Sequence, residues 1–196
     1  MGCLGGCLKR IITIIILIFA FIGVKSVWKP SEAQKAQTQS SIKIVDFSRL
    51  SDEFNLDKVI NLPNFKIIIV KHSGSGQKFI ITNSTFIKWF TQKDFTSKEI
   101  DKKIADFAEN TQYQFIRLED IKIIQRGTIS TLNLTIPYVR FTADTVNFPA
   151  GEIQGIIGAV TSEDSNITIL TYNNSKKYSQ IITEQFFKNV SLYSDL

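Results

Sequence analysis

The run GIIGAVTSEDSNITILTY, Gly155–Tyr172, decides the fold. Two stretches rich in β-branched residues, Ile153–Thr161 and Asn166–Tyr172, flank four polar residues at 162–165. Such runs on either side of a short polar loop predict a β-hairpin. The pair therefore indicates a sheet whose strands are neighbours in the chain.

The segment that follows, NNSKKYSQIITEQFFKNVSL at Asn173–Leu192, predicts the last helix. Ser175 is a suitable N-cap because its hydroxyl can accept a backbone N–H. The apolar residues recur at the spacing of one helical face, and the helix is expected to end near Val190. The inward side is expected to hold Tyr178, Ile181, Ile182, Phe186 and Val190.

Two further β-rich runs lie in the first half, at Phe65–Lys71 and Gln77–Thr82. The glycine-containing loop His72–Gly76 separates them, which predicts a second hairpin. Upstream, Ile42–Phe47 is expected to be a first strand. The mixed pattern of Ser48–Ile60 is expected to form a short helix.

Thr96–Asn110 has the pattern of an amphipathic helix. Thr96 and Glu99 have the T-x-x-E spacing of a capping box. Apolar residues at i, i+4, i+7 and i+8 fall on one helical face. These residues are Ile100, Ile104, Phe107 and Ala108.

Strands are expected again over Tyr113–Gln125 and Thr128–Ala143, joined by a turn at Arg126-Gly127. Pro137 lacks a backbone N–H, which favours an edge or bulged strand. Strands joined by tight turns pair antiparallel. The sequence therefore predicts an α+β fold, in which a transmembrane helix precedes a mostly antiparallel β-sheet packed with two or three helices.

The N-terminal segment Ile11–Val24 has 14 residues and no charge, which is about 21 Å of helix. A bilayer core is about 30 Å thick, so this length also fits a signal peptide. Extension to Trp28, with Lys25 reaching the interface, gives about 27 Å, which can span with slight thinning of the bilayer. We expect an uncleaved anchor, and a cleaved signal peptide is the alternative.

The chain is thus expected to have four parts: a tail at residues 1–10, the anchor at 11–28, a polar linker at 29–41 and a single domain at 42–196. Lys9 and Arg10 precede the apolar segment, which favours a cytoplasmic N-terminus by the positive-inside rule. The expected location is a bacterial membrane, crossed once, with the C-terminal domain on the extracytoplasmic side.

The net charge of +5 comes mostly from the segment that flanks the membrane. Residues 1–40 contain five basic residues and one acidic residue, whereas residues 41–196 contain 18 basic and 17 acidic residues. A protein that binds nucleic acid needs a basic surface to neutralise phosphates, so nucleic acid is not expected as a partner. Both cysteines, Cys3 and Cys7, precede the apolar segment, so the domain has no disulfide.

The strand pair Gly155–Tyr172 and the helix of Asn173–Leu192, with its Phe186-Phe187 pair and short tail, resemble the C-terminal half of the PsbP-like fold. The order of helix, strand, turn and long strand before them fits the same pattern, so the resemblance covers about residues 65–192. That family includes an extrinsic subunit of photosystem II and a nuclear-import GTPase-binding protein. Because most members are non-enzymatic and dock on larger assemblies, the resemblance implies a docking role but no particular binding residue. The alternatives are a generic α+β domain and a cystatin-like or pilin-like arrangement.

Candidate catalytic groups are few. His72 is the only histidine, and in its hairpin loop beside Ser75 it is expected to be solvated. A Ser–His pair would also need an orienting carboxylate and an oxyanion site. Acidic pairs occur at Asp52-Glu53, Glu119-Asp120 and Glu163-Asp164. Adjacent residues on a strand point to opposite faces, so the two members of such a pair are not expected to act together. We expect no catalytic residue, no cofactor and no metal site in this domain.

Aromatic residues crowd into one short segment, at Phe86, Trp89, Phe90 and Phe95. One interpretation is that they face the core from a loop or short helix. The other is a surface patch for a protein partner or lipid, since aromatic side chains anchor interfaces. The second interpretation makes these four residues the candidate partner patch.

The anchor, the linker and the scarcity of catalytic groups favour a membrane-tethered, non-enzymatic binding or assembly module of the cell envelope. Its expected partners are the membrane and another envelope protein. The alternatives are a hydrolase that uses carboxylates without histidine, and a small-ligand carrier with a closed apolar cavity.

Overall fold

Residues 44–62, 64–85, 88–110, 118–146, 151–161 and 166–193 are described by the computed structural model. Their centre is one seven-stranded antiparallel sheet. Its strands are β2 (Phe54–Leu62), β3 (Phe65–His72), β4 (Lys78–Ser84), β5 (Leu118–Ser130), β6 (Thr135–Thr145), β7 (Gly151–Thr161) and β8 (Asn166–Asn174). The spatial order is β2-β3-β4-β8-β7-β6-β5, so the pairing of β4 with β8 joins the two ends of the domain.

Three helices and a small second sheet complete the described fold. A 3-10 helix (Gln92–Thr96) precedes α1 (Ile100–Asn110), and α2 (Gln180–Lys188) follows β8. Strand β1 (Val45–Asp46) pairs with β9 (Ser191–Leu192). A mostly antiparallel sheet with two α-helices confirms the sheet-rich α+β class.

The predicted anchor lies outside the described residues, and with it Lys9, Arg10, Ile11, Val24 and Trp28. Among the helices that the structure describes, none has the length and apolar character required to span a bilayer.

One face of the sheet, the α2 face, packs against α2 and the β1–β9 pair. Its core contains four stacked or edge-packed aromatic rings, in which Phe79 lies 4.0 Å from Phe186 between ring centroids. Phe54 contacts both of those rings, and Phe187 meets Phe186 edge-on. The remaining buried members are Ile44, Val45, Ile68, Val70, Ile81, Ile136, Ile167, Ile169, Val190 and Leu192.

The opposite face, the α1 face, carries two clusters. Towards β5, β6 and β7, the sheet packs against the 3-10 helix and α1 through Phe90, Phe95, Ile100, Ile104, Val139, Phe141, Ala143, Ile157 and Ala159. Towards β3, the buried residues are Phe65, Ile67, Ile69 and Ile80. Among the described residues, the hydrophobic side chains that pack against this second cluster all belong to the sheet itself: Ile60, Leu170 and Tyr172.

Both edge strands of the large sheet are irregular. In β2 the register with β3 shifts between Leu56 and Lys58, around Asp57. In β5 the register with β6 shifts twice, and Asp120 within the first shift has a φ of 49°. The irregularity in β2 and the first one in β5 each contain an aspartate, Asp57 and Asp120.

The hairpins β3–β4 and β7–β8 and the helical face of Ile100 and Ile104 are confirmed. The short helix predicted over Ser48–Ile60 is wrong, because Phe54–Leu62 forms an edge strand. The capping box lies at Thr91 and Asp94, on the 3-10 helix, and not at Thr96 and Glu99.

The turn predicted at Arg126-Gly127 is also wrong. Strand β5 runs through both residues, and the chain reverses after Ser130. The ring of Tyr138 lies over Gly127, so this glycine fits a close contact within a strand. Pro137 lies on β6, which is between β5 and β7 and is not an edge.

The last helix is shorter than expected. It begins at Gln180, and Ser179, not Ser175, caps it by accepting the N–H of Ile182 at 3.3 Å. Phe186 and Val190 are buried as predicted, but Ile181 is 70% exposed. The register of the helix therefore turns Ile181 to solvent.

A substitution at Gly155 measures how tightly β7 packs against β8. A Cβ at this position would lie 2.5 Å from the backbone oxygen of Thr171. We expect Gly155→Ala to lower the free energy of unfolding by about 3 kcal/mol, because the clashing atom belongs to the backbone of a central strand. Urea unfolding of the full chain in detergent, followed by circular dichroism, measures the loss.

Gly74→Ala is the matched control, since its added Cβ meets only the side chain of His72, at 3.3 Å. It should cost much less than Gly155→Ala. Equal losses in the two variants would contradict the packing argument.

Candidate functional sites

The aromatic segment is part of the core. Phe90 and Phe95 are 0% and 3% exposed, and they pack with Phe107 and Ile100. Trp89 is half-buried and meets Phe107 edge-on, while Phe86 lies outside the described residues. The surface-patch interpretation is therefore wrong for Phe90 and Phe95, and the core-facing one describes them.

Polar side chains of the sheet hold this segment in place. The buried Asn166 donates its amide to the backbone oxygen of Phe90 at 2.7 Å. Arg126 donates to the backbone oxygen of Phe95 at 2.6 Å. Asp94 joins the 3-10 helix to α1 through Lys103, with Oδ1 and Nζ 2.7 Å apart. The segment is thus a structural clamp between the sheet and α1.

Asp94 has a perturbed carboxyl group. Burial alone would raise its pKa, but hydrogen bonds from Lys103 and from the backbone and hydroxyl of Thr91 outweigh burial and lower the pKa. The carboxylate therefore stabilises the folded state at neutral pH, because the unfolded chain binds its proton more tightly.

We expect Asp94→Asn to lower the free energy of unfolding by about 1–2 kcal/mol at neutral pH. An unfolded aspartate titrates near pH 3.9. Because the folded pKa is lower, the contribution is present above that value and is lost as pH falls through the folded pKa. Urea unfolding at a series of pH values should show the two proteins converging in acid. Asp52→Asn, at an exposed position, is the control; a constant gap between Asp94→Asn and wild type at every pH would contradict the assignment.

His72 is buried, so the prediction of a solvated turn is wrong. At the end of β3 it is 6% exposed, and its ring meets Phe54 edge-on at 5.0 Å. Nδ1 lies 3.1 Å from both the backbone N and the Oγ of Ser75. Nε2 lies 3.5 Å from Oε2 of Glu53. The fold thus brings a serine, a histidine and a carboxylate together in that order.

The arrangement orders a turn and does not resemble a working nucleophile. The backbone N–H of Ser75 shares the single Nδ1 lone pair with the hydroxyl. The Ser75 oxygen also accepts the N–H of Gln77 at 3.1 Å, and the N–H of Gly76 bonds to the backbone oxygen of His72. These three N–H groups are used inside the turn, so none of them can stabilise an oxyanion. Glu53, at 66% exposure of its side chain, is also weakly held.

Gln77 organises a buried network at the start of α2. Its Nε2 donates to Thr183 Oγ1 at 2.7 Å and to Thr171 Oγ1 at 3.2 Å. Its Oε1 accepts the backbone N–H of Ser179 at 3.0 Å, and Thr183 reaches the hydroxyl of Tyr178 at 3.2 Å. Gln77 is fully buried, and its bonds to Thr183 and Thr171 are made away from solvent. Together with the partly buried bond to Ser179, they fix α2 on the sheet.

Replacing Gln77 with leucine should be among the more damaging polar-to-apolar changes in this domain. It leaves the N–H of Ser179 and the hydroxyl of Thr183 without their buried partner, which costs about 3 kcal/mol in the free energy of unfolding. Urea unfolding measures this. Gln185→Leu, at an exposed position of α2, should change stability by less than about 0.5 kcal/mol; a similar loss in both variants would contradict the network.

Arg140 is the charged residue that sequence patterns missed. It is half-buried on β6, on the α2 face, two residues after the buried Tyr138. Its Nε is buried without a hydrogen-bond partner, and no ion pair joins it to another described residue. Tyr178 is close enough to Arg140 to interact with its charge. Burial raises the pKa of the Tyr178 phenol, and the Thr183 hydrogen bond and the Arg140 charge only partly oppose this rise. Only the α2–sheet packing brings Arg140 and Tyr178 together.

Three of the described acidic residues form a row across the sheet. Glu119 lies opposite Asp144, and Asp144 lies opposite Glu152, in a row across three strands. Glu152 accepts a hydrogen bond from Ser175 at 2.7 Å. No group of three or more acidic, histidine or cysteine side chains among the described residues is placed to hold a metal ion. Glu163 and Asp164 lie outside these residues.

A cavity of about 250 Å³ opens beside the β2 edge. The surface that it exposes is mostly polar, and Ser51, Asp52 and Asn55 are its polar residues. The apolar lining is Phe47, Leu50, Phe54, Leu56 and Val70. Ligand pockets usually measure about 300–1,000 Å³, so this cavity is small for a carrier.

Comparison of the sequence with protein-family models and with curated proteins finds no match. The function therefore has to be argued from the residues themselves.

Proposed function

We propose that this chain is a membrane-tethered, non-enzymatic binding or assembly module of the bacterial cell envelope. The observation that carries the proposal is how the described domain uses its reactive side chains. His72 and Ser75 order a turn, Gln77 fixes α2, and Asp94 clamps the 3-10 helix to α1. Because these groups serve the fold, recognition is the role that the domain is best equipped for.

The N-terminal sequence supports the tether. Residues 11–28 are apolar apart from Thr13, Lys25 and Ser26, and Lys9-Arg10 precede them. This arrangement favours a single span with the domain of residues 42–196 outside the cytoplasm. The polar linker at 29–41 would give that domain reach from the bilayer.

The resemblance to the PsbP-like fold supports the assembly role. Members of that family are mostly non-enzymatic and dock on larger complexes. An antiparallel sheet covered by helices is the kind of scaffold that the resemblance implies, and we propose membership on the sequence pattern of residues 65–192.

Co-purification tests the proposal. The full chain, tagged at its C-terminus, is cross-linked in cells and recovered from detergent-solubilised membranes. We expect the same envelope protein to be recovered in repeated experiments. A matched chain in which Ile14, Ile15 and Ile16 are replaced by aspartate should leave the membrane fraction, because charges in the apolar segment oppose insertion.

Protease treatment of intact cells with a permeabilised outer layer reports the side on which the domain lies. Digestion of the domain without lysis of the inner membrane is the expected result. Recovery of the wild-type chain in the soluble cytosol, with no reproducible partner, would overturn the proposal.

A small-ligand carrier is the second candidate, and the cavity beside β2 is the observation in its favour. The cavity is half-open and below the common size for ligand pockets, so the binding module is preferred. An apolar fluorescent probe whose emission changes on binding to wild type but not to Leu50→Trp would favour the carrier.

A further inference from the structure

We propose that Arg140, together with Tyr138 and Tyr178, forms a binding site for a carboxylate group on an acidic protein partner. This inference deepens the proposed function by naming the chemistry of its ligand. It rests on the proposed function only for the identity of the partner, because the site itself is built by the domain.

The guanidinium of Arg140 has no partner among the described residues. Arginine side chains that leave water are normally paired, since an unpaired charge in a partly buried position is costly. Nε of Arg140 is buried and unpartnered. The two terminal nitrogens make no hydrogen bond or ion pair with another described residue and, unlike Nε, are not among the fully buried unpaired atoms. A ligand can therefore reach the outer edge of the guanidinium and pair with it.

The strand that carries Arg140 and the two neighbouring tyrosines are held firmly in the fold. Arg140 lies on an interior strand, paired with Ile156 on β7 and Gln125 on β5. Tyr138 is buried against Gly127, and a Cβ at Gly158 would also contact it. Tyr178 is fixed through Thr183 into the Gln77 network. Because these neighbours are already in place, ligand binding has to order only the guanidinium itself, which favours affinity.

The carboxylates around the site limit the charge of the ligand. Glu184 acts electrostatically on Tyr178, and it lies 3.6 Å from Lys188. The row of Glu119, Asp144 and Glu152 lies further along the same sheet. These carboxylates repel any anion, and they repel a doubly charged phosphate more strongly than a singly charged carboxylate. A carboxylate carries one charge and has the planar shape that two guanidinium nitrogens can bind together.

The experiment uses the full chain in detergent micelles, with arginine labelled by ¹⁵N. The sequence contains five arginines, so the Nε–H signals can be separated, and Arg140→Lys identifies the signal of Arg140. Sodium acetate is the probe, and sodium chloride at equal ionic strength is the reference. Because its Nε–H is buried, the Arg140 signal should exchange slowly with water and remain visible.

We expect acetate to move the Arg140 signal in a saturable way, whereas chloride leaves it in place. Arg126, whose guanidinium already bonds to Phe95, is the internal reference and should not respond. Glu184→Gln should strengthen acetate binding by roughly twofold, since it removes one nearby like charge.

An Arg140 signal that ignores acetate, or that follows chloride equally, would overturn the site. A stronger saturable response to sodium phosphate would overturn the assignment of a carboxylate. Acetate binding needs neither a membrane nor a partner, so a negative result here and a failure of co-purification are separate outcomes. Where both succeed, Arg140→Gln should reduce recovery of the partner at least tenfold, while Arg49→Gln should not.

Discussion

The fold depends on one pairing, between β4 and β8. These strands meet antiparallel over seven residue pairs, from Lys78–Tyr172 to Ser84–Asn166. The chain between these two strands, which includes the aromatic segment, α1 and strands β5 to β7, forms a loop that this pairing closes. Gln77 precedes β4 and α2 follows β8, so the same pairing brings Gln77 to Thr183, although 106 residues separate them. Loss of this register would separate the two hairpins and undock α2 together.

The elements that the sequence predicted correctly are those with local signals. Both hairpins have β-branched runs around a polar loop, and Ile100 and Ile104 repeat at helical spacing. The errors have tertiary causes. Phe54–Leu62 is an edge strand because it pairs with β3, not because its own pattern alternates. Gly127 was expected in a turn, yet it lies within β5 because the ring of Tyr138 packs over it.

The candidate site was less predictable than the fold. The aromatic segment drew attention by composition, and Phe90 and Phe95 proved to be core. His72 was expected in solvent. Ser75 contacts it within the same turn, but Glu53 and Phe54 reach it only when β2 pairs with β3. Arg140 gives no signal in the sequence, because an isolated arginine on a strand is ordinary. Its interest comes from the lack of a hydrogen-bond or ion-pair partner among the described residues, which is visible only once the positions of α2 and β5 are known.

The bulges at the two edges of the sheet have a consequence for crowding. Under the proposed tether, copies of the domain would be confined to two dimensions, where neighbours would meet far more often than in dilute solution. A regular, uncharged edge strand would then act as a template for the edge of the next copy. Asp57 on one edge and Asp120 on the other interrupt that register and add charge. The irregular, charged edges of the large sheet therefore disfavour backbone pairing between neighbouring copies.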